Sequence, residues 1–319
     1  MANGLKAEGS VVLVTGAAGF IGSHTAGRLL AAGHRVVGVD NFRTGRRENL
    51  AEALAQQAFV FREADVAEPE VLSGLAAEFA PAAIIHLAAL VSVQESIADP
   101  ALNFRLNLAA TQLVAEAARR HRIPRVVFAS SAAVYGNGEE TPLVESGSAA
   151  RPISPYGAAK LASESLLLGH AAAYGFVARC QRYFNVYGPR QDPASPYSGV
   201  ISIFAREYRE GRPVTIHGDG QQTRDFISVH DVARANFLAA TRPGTASGVV
   251  NICTGRKTSL QRLAAIFGDH YPRVAPPRHA AARPGDIRHS VGNPARAKEE
   301  LDFEPEWTID RGLAELIQP

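Results

Sequence analysis

Short runs of apolar and β-branched residues recur along the first two-thirds of the chain, and most are followed by a stretch with helical spacing. The runs are Val11–Thr15, Arg35–Asp40, 58–61, 82–89, 125–129 and Val177–Tyr183. Runs without alternation mark strands buried on both faces, as in parallel sheets covered by helices. The alternation predicts a Rossmann-like, doubly wound parallel α/β sheet over residues 1–184, followed by a smaller α/β lobe over 185–319. A segment at about 225–255 returns to the first body, because 249–252 again reads as a strand of the main sheet. Helices are expected at 48–57 and Val71–Phe79. Asp99-Pro100 and Ser154-Pro155 each pair an N-cap with proline at the first helical position. In the helix after Pro100, Leu102, Leu106, Ala109, Leu113 and Ala117 form one stripe, while Phe104, Leu108 and Ala115 begin a second. Two apolar faces predict a partner subunit as well as a sheet to pack on, with Leu161 and Leu168 of the later helix exposed for pairing. Residues 214–217 and 226–229, around Asp219-Gly220, read as an antiparallel pair. Thr258-Ser259-Leu260-Gln261 reads as a capping box, 271–285 as loop, and Asn293-Pro294 as a helix start.

The first strand runs into Gly16-Ala17-Ala18-Gly19-Phe20-Ile21-Gly22. Glycines three apart have separate uses: a tight turn, a close backbone approach to a diphosphate, and close packing of helix on strand. The helix that opens near Phe20 then offers free N–H groups and its positive end to that diphosphate. The second strand ends in Asp40, placed to bind adenosine-ribose hydroxyls and repel a 2′-phosphate, which favours NAD over NADP. Arg43, Arg46 and Arg47 follow closely and leave some tolerance of NADP open. Asp65, at the third strand's end, can accept from an adenine amino group or simply face solvent. Leu87, Ala88 and Ala89 are small enough at the fourth strand's end for a cofactor to lie against backbone. His86 reads as a satisfied core histidine.

Composition narrows the class. The chain has 319 residues, 46% hydrophobic and 20% charged, with net charge +2, which gives no case for nucleic acid. Cys180 and Cys253 stand far apart without metal-ligand spacing, and read as buried thiols in a reducing compartment. No apolar run spans a membrane and the first residues lack a signal peptide's apolar stretch, so a cytoplasmic location with no membrane partner is expected.

The fifth strand ends in Ser130-Ser131, at the edge where doubly wound sheets bind ligands. Tyr156 and Lys160 lie four apart on one helix face. Such a spacing is usually a surface pair; here its weight comes from the dinucleotide signature and the serines upstream.

Together these stretches resemble the extended short-chain dehydrogenase/reductase family, and within it the UDP-galactose 4-epimerase group, from Val11 to about Leu316. The markers are TGAAGFIG at 15–22, DN at 40–41, HLAA at 86–89, SSAAVYG at 130–136, YGAAK at 156–160, RYFNVYGPRQ at 182–191, GDGQQTRDFISVHDVA at 218–233 and RPGDIRHS at 283–290. The resemblance implies an NAD-dependent isomerase acting on a UDP-sugar in carbohydrate metabolism, a homodimer, and no metal. It makes Tyr156 the base, Lys160 its partner and Ser131 the hydroxyl between Tyr156 and sugar. Phe20, Ile21, Asn41, Asp65, Val66, Asn107 and Tyr183 join the glycine turn, Asp40 and 87–89 along the cofactor. Ser92, Asn185, Arg224, Arg283, Asp286 and Ser290 fall to the substrate. Val91 stands where many of these epimerases carry lysine, which fits a branch acting on N-acetylated sugars. A small Ser290 beside the ring leaves room for a 2-acetamido group. Family dehydratases carry an Asp-Glu pair where this chain has Ala132 and Ala133, so epimerisation at carbon 4 is what the residues allow. A uronic-acid 4-epimerase, or a non-catalytic protein binding NAD or a nucleotide sugar, are the alternatives.

Overall fold

The computed structural model describes residues 9–137, 142–148, 150–192, 199–282 and 288–317. A seven-stranded parallel sheet forms the main body, built from β1 (Val11–Thr15), β2 (Arg35–Asp40), β3 (Phe59–Glu63), β4 (Ala83–His86), β5 (Arg125–Ser131), β6 (Val177–Tyr183) and a last strand, Gly248–Ile252. Its order is Gly248–Ile252, β6, β5, β4, β1, β2, β3. Direction of travel therefore reverses between β1 and β4, the crevice where doubly wound sheets hold ligands. Both faces are sealed by apolar side chains. Val12, Val14, Leu29, Val36 and Ile85 belong to one layer, and Leu13, Ile84, Val126, Phe128 and Leu167 to the other. This two-sided burial is why the strands read as unbroken apolar runs.

A second core gathers around Tyr187, Phe204, Tyr208, Ile216 and Phe267, while Val232, Ala235, Leu301 and Phe303 of the later chain pack into the first layer of the main body. Here the expected antiparallel pair does not form. Thr215–His217 pairs in parallel with Arg278–Ala280, a strand inside the stretch expected as loop, and Phe226–Ser228 pairs in parallel with Asn185–Tyr187. Between them the fully buried Asp225 redirects the chain. Its carboxylate accepts from the Thr254 hydroxyl at 2.6 Å and from the Thr254 and Gly255 amides at 2.8 Å. A buried carboxylate needs such partners, and meeting them pulls the chain onto the main body.

Three smaller expectations also change. The helix after Pro100 is broken: Pro100–Asn103 and Ala110–Arg120 flank a π-helical turn, Phe104–Ala109. The residues expected as a helix at 48–57 form a 3₁₀ turn, Arg47–Leu50, and one short α-turn, Ala51–Leu54. Ser259, not Thr258, caps the helix Leu260–His270, accepting from the Arg262 amide at 3.0 Å. Leu161 and Leu168 are half-buried against their own chain, the first on the Val134–Tyr135–Phe184 cluster and the second on the sheet, so neither is the exposed contact expected. No helix among the described residues is long and apolar enough to cross a membrane.

Candidate active site

At the end of β1 the backbone itself shapes the site. Gly16 has φ +68°, and a Cβ there would fall 2.7 Å from the Ala88 nitrogen. A Cβ on Gly22 would lie 1.9 Å from the Gly16 oxygen, so helix Phe20–Ala31 and the turn touch through main chain alone. That helix opens with no side-chain cap and no acidic residue in its first turn, leaving its leading N–H groups for an anion. Thr15 organises the neighbouring strand end: its hydroxyl accepts from the Leu87 and Ala88 amides at 3.1 Å and bonds His86 Nδ1 at 2.8 Å. His86 is fully buried there, and burial depresses its imidazole to about 3, as suits a neutral core histidine.

Asp40 ends β2 with its carboxylate held by the Ala18 amide at 3.0 Å and the Phe42 amide at 2.8 Å. Burial raises its pKa, while those amides counter the rise. Gly16, Gly19, Phe20, Ile21, Gly22, Asp40, Asn41, Asp65, Val66 and residues 87–89 all line one cleft of about 950 Å³, together with Ser92, Ser131, Tyr156, Lys160 and Tyr183. Asp65 accepts from the Ala67 amide at 2.9 Å and pairs with Arg105 at 3.2 Å. Asn107 does not line the cleft. From the π-turn it bonds both polar groups of Leu90, accepting from the amide at 3.2 Å and donating to the carbonyl at 3.0 Å, and so pins the wall behind Val91 and Ser92.

Ser131 ends β5, and its hydroxyl accepts from the Ala133 amide at 3.1 Å. Ala132 and Ala133 begin the 3₁₀ turn that follows and carry no proton donor. Ser154 caps helix Pro155–Tyr174, accepting from Gly157 at 3.1 Å; a Cβ on Gly157 would sit 2.7 Å from the Ala133 oxygen, so helix and turn are in contact. This brings Tyr156 and Ser131 together on the cleft lining, with the Ser131 side chain close enough to act on the phenol. Burial raises the Tyr156 phenol above its ordinary range, and the neighbouring Ser131 hydroxyl opposes that. Lys160, 3% exposed, donates to the Ala129 carbonyl at 2.8 Å, and burial lowers its ammonium to about 7.

The substrate candidates divide. Ser92 caps helix Val93–Ala98, accepting from the Glu95 amide at 2.9 Å, and the neighbouring Val91 is 60% exposed in the cleft. Asn185, Arg224 and Ser290 lie off the cleft lining but share one edge of the second core. Ser290 is in register with Arg224, Asp225 N donates to the Ser290 carbonyl at 2.9 Å, and Asn185 Nδ2 donates to the Asp225 carbonyl at 3.0 Å. Arg283 and Asp286 fall outside the described residues.

The model of the NAD-dependent epimerase/dehydratase family matches residues 12–253. The chain belongs to that family. A UDP-glucose 4-epimerase of Mycolicibacterium smegmatis is 40% identical over 312 residues, covering 96% of this chain and 97% of that one. The crystal structure of a Thermus thermophilus UDP-glucose 4-epimerase complexed with NAD superposes with a TM-score of 0.85 at 36% identity, covering 96% and 97% of the two chains. A UDP-N-acetylglucosamine 4-epimerase from Methanobrevibacter ruminantium, complexed with UDP-N-acetylmuramic acid, superposes with a TM-score of 0.91 at 34% identity and covers 97% of each.

Two features of this family member escaped the sequence reading. Arg190, Gln191 and Asp192, within and just after the RYFNVYGPRQ stretch, also line the cleft, and Asp192 pairs with Arg46 at 2.6 Å, joining the second half of the chain to the loop after β2. Behind Lys160, Glu164 and Arg182 form a buried ion pair at 2.7 Å. The spacing Tyr156, Lys160, Glu164 on one helix face was the available signal for the second.

Proposed function

We propose that this family member is an NAD-dependent UDP-sugar 4-epimerase acting on UDP-glucose and UDP-galactose and on their 2-acetamido counterparts. The observation that carries the reading is the gathering of Ser131, Tyr156 and buried Lys160 on one cleft wall, with two alanines after Ser131 that add no further acid or base. The dinucleotide fits the turn on steric grounds, since side chains at Gly16 and Gly22 would close the cradle. Gly16, Gly19, Gly22 and the Phe20 helix would hold its diphosphate, and Asp40 its adenosine ribose. Arg43 is paired with Glu95, Arg46 with Asp192 and Arg47 with Glu63, so a 2′-phosphate would have to break an ion pair to recruit any of them. That supports NAD over NADP.

When bound, NAD supplies reversible oxidation at carbon 4 of the sugar. Tyr156 takes the proton from the 4-hydroxyl and returns it, and Ser131 orients that hydroxyl. A phenol of ordinary pKa near 10, raised further by burial, is a poor base alone; a charged Lys160 nearby supports the phenolate. Ala132 and Ala133, the two residues after Ser131, carry no side-chain proton for carbons 5 or 6, and inversion needs none. Separate assays with UDP-glucose, UDP-N-acetylglucosamine and UDP-glucuronate should give the 4-epimer of the first two. Turnover of UDP-glucuronate alone transfers the reading to the uronic-acid class, and no turnover of any leaves a binding protein.

The same reading includes a homodimer, with Ile97 (55% exposed) and Phe104 (58%) as the apolar surface the partner would cover. Sedimentation should give twice the chain mass at micromolar concentration, and a monomer there refutes it.

A further inference from the structure

Lys160 and Glu164 lie one helical turn apart, both buried, and adjacent residues of β5 hold them. The Ala129 carbonyl accepts from Lys160, and the Ser130 hydroxyl donates to Glu164 Oε1. From β6, Arg182 grips the same carboxylate, Nε to Oε1 at 2.9 Å and Nη2 to Oε2 at 2.7 Å, with its guanidinium 4.7 Å from the Tyr135 ring. A bidentate pair of this kind fixes the carboxylate in position and supplies its counter-ion. We propose that Glu164 is a positioning residue of this active site: its carboxylate, clamped by Arg182 and Ser130, keeps Lys160 a cation and so keeps Tyr156 a usable base.

The surroundings of Lys160 leave that task to Glu164. On its own helix Lys160 faces Tyr156, whose ring centroid is 5.8 Å from Nζ, and Glu164. From β5 come the Ala129 carbonyl and the Phe128 ring at 4.8 Å, neither of which carries charge. From β4 comes His86, kept neutral by burial. Against Glu164 itself β6 sets Arg182, its ion-pair partner, and Cys180, whose buried thiol is pushed well up. Burial drives the Lys160 ammonium down, and Glu164 is the charge that opposes the fall. Lysine suits such control because its proton can be lost, whereas an arginine would stay charged whatever lay behind it.

The inference rests on the roles given to Tyr156 and Lys160 above, but its test reads Lys160 directly. The chain has only four lysines, Lys6, Lys160, Lys257 and Lys298, so ¹³Cε-labelled lysine resolves each titration by NMR in the NAD-loaded enzyme. Removing the carboxylate charge lowers the folded-state pKa of the ammonium, so Lys160 loses its proton at lower pH. In Glu164→Gln its midpoint should fall by about one pH unit or more, and the alkaline limb of kcat should move to lower pH with it. Glu164→Gln/Arg182→Gln, which orphans no buried charge, should move both in the same direction. A purely structural pair would lower thermal stability and leave the Lys160 midpoint where it was. A midpoint within about 0.3 unit of wild type in either folded variant overturns the proposal.

Discussion

Around the glycine turn, main chain meets main chain, and the geometry is written in one unbroken stretch from Thr15 to Gly22. At the edge formed by Asn185, Arg224 and Ser290, three segments far apart in sequence meet because the Asp225 carboxylate and the main-chain groups of residues 224–225 stitch them together. The first region draws its spaced glycines from one short stretch and seats them, through Gly16 and Thr15, on the backbone of residues 87–88. The second depends on side-chain and backbone bonds made across the fold. The two should therefore respond to substitution in different ways: the cradle all or nothing, the edge by degrees.

The most severe test strikes the cradle. In Gly22→Ala the new methyl meets a backbone oxygen at 1.9 Å, which no rotamer change can relieve. Overpacking of that kind costs about 1–3 kcal/mol or more, and here it falls on the diphosphate site itself. Purified Gly22→Ala should carry little NAD and unfold at clearly lower denaturant concentration. Full cofactor occupancy would show that the turn can yield, and the contrast with the edge would lapse.

Tyr156→Phe comes next. It keeps the ring and its packing and deletes only the hydroxyl beside Ser131. The protein should fold and retain NAD while turnover drops at least about a hundredfold. Near-wild-type turnover would remove Tyr156 from the chemistry.

Ser290→Tyr probes the edge. Ser290 lies half-buried in register with Arg224 on a short strand, off the described cleft lining; on the proposed function this edge reaches the sugar, and an added ring there should crowd a 2-acetamido group before it crowds a free hydroxyl. Steric conflict of about 1–3 kcal/mol corresponds to roughly tenfold selectivity or more, read as a fall in turnover of the acetamido sugar with UDP-glucose spared. Equal effects on both sugars, or none, would take Ser290 out of substrate selection.

The same division explains what could be read in advance. The parallel sheet and the glycine turn are legible because unbroken apolar runs and three spaced glycines each have few physical meanings. The break at Phe104–Ala109 is not, because it accompanies contacts made by Asn107 to Leu90, seventeen residues earlier and on another element. The expected antiparallel pair gives way for a similar reason: local turn chemistry at Asp219-Gly220 is overruled by the buried bonds of Asp225. Leu161 and Leu168 show the limit of periodicity, which gives the face of a helix but not what covers it.

The smallest effect should come from Gly27, and it sharpens the contrast within one helix. Gly22 and Gly27 both sit in Phe20–Ala31, and spacing alone does not tell which one the fold requires. A Cβ at Gly27 would meet nothing within 4 Å, and its φ is not in the left-handed region. Glycine inside a helix is entropically costly, so Gly27→Ala should stabilise the protein by about 0.4–1 kcal/mol with NAD content and turnover unchanged. Chemical denaturation of Gly22→Ala and Gly27→Ala side by side then measures the cradle against its own helix. If Gly27→Ala destabilised as much as Gly22→Ala, the cost at Gly22 would belong to the helix as a whole, and the close approach to Gly16 would lose its special standing.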